Sequence, residues 1–133
     1  MDIIVTDHSS ENLEVLFNAS FALNHPLFSV LTKNTDIPWL VFIPKQEMND
    51  KNEEYIGKVY AEIHRIAAYL KRNGINGHTN VAKIGNKHPN YHIHLVFRSE
   101  QDEAWPDAIW CHEPLKESDE NTKAIKQALK SYS

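Results

Sequence analysis

The chain has a single cysteine, Cys111, in 133 residues. An internal disulfide is therefore excluded, and a reducing, cytoplasmic setting is the expectation. No stretch approaches the roughly 20 apolar residues of a membrane span, so no membrane association is expected. The first residues carry Asp2 and Asp7 and no basic region, which does not read as a signal peptide. There is no basic block, and the formal net charge is −4, so duplex nucleic acid is not an expected partner. Repeats and low-complexity tracts are also missing. What remains is 41% hydrophobic and 24% charged, ordinary for a soluble globular protein. That length suits one domain, 1–133, with a real hydrophobic core.

In chain order, Met1 to Val5 is a short apolar start that suggests an edge strand. Ser9-Ser10-Glu11 offers a cap and an acidic first turn, and Leu13, Leu16 and Phe17 follow at helical spacing, predicting a helix over about 10–22. Asn24-His25-Pro26 ends it, with His25 in a loop. Phe28 to Thr32 reads as a strand and Asn34-Thr35-Asp36 as a turn. The apolar run Trp39 to Ile43, stopped by Pro44, predicts a strand buried on both faces. Asp50 and Glu53 form a candidate capping box. Ile56, Val59, Tyr60, Ile63, Ile66, Ala67 and Leu70 then recur at helical spacing, predicting a long helix over 51–73 that ends at Gly74. His64 falls at the margin of that stripe. Thr79 to Ile84 predicts a strand, and Gly85-Asn86-Lys87-His88-Pro89 a turn with His88 exposed. Ser118 is a cap candidate for a last helix, about 118–131, with a Lys-rich tail expected to fray.

The stretch Asn90-Tyr91-His92-Ile93-His94-Leu95-Val96-Phe97-Arg98 alternates. Tyr91, Ile93, Leu95 and Phe97 would pack a core, and the opposite face would present Asn90, His92, His94 and Arg98 with Val96 among them. Neutral imidazole is both a nucleophile and a metal ligand near neutral pH, so the pattern proposes a site without choosing its chemistry. A His-x-His pair should arise by chance roughly 0.5 times in a chain of this composition, so the pair alone decides little. Its surroundings decide more. Thr79-Asn80-Val81-Ala82 and Gly85-Asn86 lie upstream, and Asp102-x-Ala104-Trp105-Pro106 and Trp110 downstream. Gly85 would let backbone approach a phosphate, and Asn86 could donate to one.

Together these residues resemble the histidine triad (HIT) superfamily, and within it a bacterial branch of HIT-like proteins. The resemblance covers roughly residues 27–110. It implies an α+β fold: a central antiparallel sheet of about five strands with the long helix packed on it. It implies a nucleotide or dinucleoside polyphosphate substrate, whose α-phosphate the middle histidine of the triad attacks. The residues after His94, Leu-Val-Phe-Arg, fix the register: His92 takes the middle position, His94 the third, and Asn90 the first. Trp39 stands where many HIT hydrolases carry an additional histidine. By the same resemblance, Asn34 or Asp36 would contact a ribose, and Asn80, Gly85, Asn86 and Arg98 complete the substrate-binding set. The Trp105–Trp110 segment would cover the site or lie at a subunit contact. A homodimer is implied, with Tyr55 and Tyr69 available to a partner.

The leading expectation is thus a HIT-like phosphohydrolase or nucleotidyl transferase acting through His92, with His94 and Asn90 in support and neither cofactor nor metal. An alternative is a nucleotide-binding or regulatory module with little turnover. A third is a metal site using His92, His94 and His112.

Overall fold

The computed structural model describes residues 2–132, so Met1 of the expected edge strand, and Ser133, lie outside the described residues. The elements are α1 (Ser10–Phe17), β1 (Ser20–Asn24), β2 (Phe28–Thr32), β3 (Trp39–Pro44), α2 (Glu53–Arg72), β4 (His78–Ala82), β5 (Ile93–Arg98) and α3 (Glu120–Leu129). The strands form one five-stranded sheet in the order β1-β2-β3-β5-β4, with every neighbouring pair antiparallel. This is the expected α+β architecture. β2 and β3 form a hairpin, and both are buried along their whole length, as expected for strands covered on two faces.

The two faces bury different partners. Ile93, Leu95 and Phe97 of β5, with Leu40 and Phe42 of β3, pack against the α2 stripe Val59, Ile63, Ile66 and Leu70 and against Ile125 of α3. Fully burying side chains of this size stabilises by about 1.5–3 kcal/mol each, which makes this face the main core. Val96, Val41 and Ile43 point the other way, against Leu13 and Phe17 of α1 and Ile109 and Leu115 of the segment after β5. The end of α2 is a Schellman motif. Ile75 N–H donates to Leu70 O (2.9 Å) and Gly74 N–H to Lys71 O (3.2 Å). Gly74 supplies the positive φ (93°) that this motif requires.

Several local expectations are corrected. Ile3 makes a single parallel bridge to Asn90 rather than a strand. The first helix stops at Phe17, because Asn18 turns left-handed (φ 49°) and its successor donates back to Glu14 O, so Ser20 onward becomes strand β1. The Asp50–Glu53 capping box does not form; Asn49 caps a short 3-10 turn, Asp50–Asn52, that leads into α2. The tail is anchored as far as Tyr132, whose hydroxyl donates to Glu62 Oε2 (2.5 Å). Tyr55 and Tyr69 are spent within the chain: Tyr55 OH donates to Leu27 O, and Tyr69 OH to Ala128 O. Among the described residues, no helix is long and apolar enough to cross a membrane.

Candidate functional site

β5 carries the site because its alternation sends His94 to the face opposite the α2 core. His94 pairs with Val41 on one side and Ala82 on the other, which fixes its depth in the sheet. His92 sits one residue ahead of β5. Both imidazoles are buried, and their rings stand 4.7 Å apart and nearly perpendicular.

Their hydrogen bonds assign their tautomers. His92 Nδ1–H donates to the Asn90 carbonyl (2.7 Å), which leaves Nε2 with a lone pair and no partner among the described residues. His94 Nδ1 accepts the Trp39 indole N–H (3.0 Å), which puts its proton on Nε2. Burial, with His92 and Lys33 nearby, pushes His94 down to about 3. Burial is also the chief cause lowering His92, offset in part by the bond to Asn90. At neutral pH the pair is therefore uncharged: one bare nitrogen beside one N–H donor.

They open into a cavity of about 370 Å³. Phe17, Trp39 and Trp110 give it aromatic walls, Lys33 and Lys87 bring two positive charges, and Glu113 one negative. Lys33 is desolvated, which lowers its pKa; its Nζ donates to Phe17 O (3.0 Å) and lies 5.2 Å from the Trp39 ring. Gly85 and Asn86 line the same cavity, with Gly85 at a φ of 73° that a side chain would oppose. Trp110 packs edge-on against His94 (4.9 Å) and Trp39 (6.0 Å), so this end of the Trp105–Trp110 segment covers the site. Trp105 does not; it is 37% exposed and lies against His78 and Arg98. An anion bearing an aromatic group matches these walls and charges.

Of the predicted residues, the structure brings His92, His94, Gly85 and Asn86 together. Asn90 contributes its backbone, and its side chain does not line the cavity. Asn34 is exposed and lines a neighbouring cavity of about 490 Å³, which shares Lys33, Trp39 and Glu113 with the first. Asp36 lines neither; its N–H donates to Lys116 O and its carbonyl accepts from Asn121. Arg98 is 3% exposed and turned away from the cavity lining. It donates twice to Asp102 (2.8 and 3.0 Å) and once to Asn80 (3.1 Å), so Arg98 and Asn80 form a closed cluster of their own. His112 pairs with Asp107 (2.9 Å) and does not join His92. Among the described residues, no group of three His, Cys, Asp or Glu is placed to hold a metal ion.

Sequence reasoning missed Lys33, Lys87 and His88. His88 is half-buried rather than exposed: it stacks on Phe17 (4.7 Å, 8° between planes), approaches His92 to 5.3 Å and lines the cavity. Its neighbour Pro89 signals a turn and nothing more.

An open antiparallel sheet with neutral imidazoles on the strand beside its hairpin defines the class of α+β protein. Solved structures of that class superpose on this chain. Histidine triad protein blr8122 of Bradyrhizobium japonicum matches with a TM-score of 0.75 at 26% identity, covering 93% of this chain and 95% of that one. A histidine triad protein of Marinobacter aquaeolei VT8 matches with a TM-score of 0.71 at 24% identity, over 90% of each chain. The HIT protein SMc02904 of Sinorhizobium meliloti 1021 matches at 0.71 and 21%, over 90% of this chain and 92% of that one. No family model matches the sequence, and no curated protein does. The chain belongs to the histidine triad superfamily.

Proposed function

We propose that this protein is a nucleotide phosphohydrolase or nucleotidyl transferase acting on nucleoside phosphates or dinucleoside polyphosphates through His92. The observation that carries the reading is the tautomer: His92 Nδ1–H is held by Asn90 O, so Nε2 offers its lone pair to a cavity lined by Lys33 and Lys87. Nε2 attacks the α-phosphorus, a P–N bond forms, and the bond from phosphorus to the leaving oxygen breaks with its electron pair. Lys33, Lys87 and the His94 Nε2–H stabilise the charge that develops on the phosphoryl oxygens. Water then attacks the same phosphorus and gives up a proton to solvent, a P–O bond replaces the P–N bond, and Nε2 recovers its lone pair. In the transferase variant another hydroxyl or phosphate takes the place of water. The aromatic walls offer faces to the base.

A second reading, a nucleotide-binding module with little turnover, is favoured by one observation. Asn90 shuttles no proton at neutral pH, and burial keeps His94 uncharged. The leaving group must then take its proton from elsewhere, which slows poor leaving groups first. A screen of turnover and binding over mononucleotides and dinucleoside polyphosphates separates the two. Turnover abolished by His92→Ala carries the first reading; tight binding with no turnover in any variant carries the second. We further propose a homodimer paired along an outer sheet strand, testable by sedimentation equilibrium. A cytoplasmic location fits the exposed free thiol of Cys111.

A further inference from the structure

His88 is the one imidazole of the cavity with both ring nitrogens bonded within the chain. Its Nε2–H donates to Leu16 O (2.9 Å), at the end of α1, and its Nδ1 accepts the Asn90 N–H (3.3 Å). It has no nitrogen left for a ligand, so contact with the reacting atoms is not its role. Asn90 is held between two histidines: its N–H goes to His88 and its carbonyl receives His92 Nδ1–H. Ile3 holds the same two peptides from their outer side, since Ile3 N–H donates to Pro89 O and Tyr91 N–H to Ile3 O. The inner sides of those peptides, the Asn90 N–H and carbonyl, go to His88 and His92.

We propose that His88 is a positioning residue for His92: by accepting the Asn90 N–H, it fixes the residue whose carbonyl sets the tautomer and ring orientation of the nucleophile. The relay runs from Leu16 O through the His88 ring and the Asn90 backbone to His92. It couples α1, stacked on His88 through Phe17, to a site some 70 residues further along the chain. The inference deepens the assignment of His92 as nucleophile and rests on it.

Two variants separate this role from plain packing. His88→Leu keeps apolar volume against Phe17 but has no acceptor. His88→Asn loses the stack but keeps an acceptor near the Nδ1 position. Long-range ¹H–¹⁵N spectra of the imidazoles, recorded on the full chain without nucleotide, read the His92 tautomer directly. The wild type and His88→Asn should show His92 protonated on Nδ1 alone. His88→Leu should show mixed tautomers, with kcat lower by on the order of tenfold, the scale of one hydrogen bond, and KM nearly unchanged. If His88→Leu keeps a single Nδ1–H tautomer, or His88→Asn scrambles it, the proposal is overturned. Should His88→Leu fail to fold, the His88→Asn spectrum still decides. The spectra need no turnover. A His92→Ala enzyme that keeps its activity would therefore refute the nucleophile assignment while leaving the tautomer result standing.

Discussion

The polar face of β5 has two ends, and they differ in one respect. At the Arg98 end every guanidinium nitrogen has a partner: the group donates two bonds to Asp102 and one to Asn80, and Asp102 also accepts the N–H groups of Ser99 and Ala104. Burial alone would raise the Asp102 carboxyl, but those hydrogen bonds outweigh it and hold it at about 2. At the imidazole end, His92 and His94 are as deeply buried, yet each leaves one nitrogen uncommitted toward a cavity. A buried polar residue whose partners are complete is holding the fold. One whose bonding is deliberately incomplete is placed for a ligand.

That contrast can be broken by substitution. The largest effect is expected at the open end. His92→Ala should lower turnover by several orders of magnitude, while nucleotide binding and thermal stability change little, because a two-step route loses its nucleophile. Steady-state kinetics beside calorimetric binding checks it. At the closed end the signs reverse: Asp102→Ala leaves a buried guanidinium unpaired and should destabilise the fold by about 3–5 kcal/mol, measured by urea unfolding. His94→Ala removes one donor from the developing charge and should cost about 10²–10³ in kcat.

The comparison is sharpened further through pH. The folded His94 is held at about 3, below the ordinary 6.5. Between those values the unfolded chain binds a proton that the folded chain does not. Stability therefore falls as pH falls, by about 1.4 kcal/mol per pH unit from this group. His94→Gln should flatten the acid side of the stability profile over that window. An unchanged slope would show that His94 is not held neutral. The depressed carboxyl of Asp102 acts in the same direction, lost as pH falls through about 2, and is untouched by that substitution.

Much of the fold was legible because its signals are local. The α2 stripe, the doubly buried β3 and the alternation of β5 each follow from residue spacing. β1 was not, because one left-handed residue, Asn18, converts an apparent helix into helix plus strand. His92 and His94 were legible for the same reason as β5 itself. His88 and Lys33 were not, since their surroundings come from elsewhere in the chain: Leu16 and Phe17 for the His88 ring, Phe17 and Trp39 for the Lys33 ammonium. Arg98 shares the face of His94 by periodicity, but only the Asp102 turn reveals that its charge is already spent.

The account stands most directly on acid-quenched mass spectrometry of the enzyme during turnover of a dinucleoside polyphosphate. It predicts a nucleotidyl adduct on His92, trapped before water resolves it and absent in His92→Ala. Turnover with the adduct on another histidine, or with His92→Ala as fast as the wild type, would contradict it.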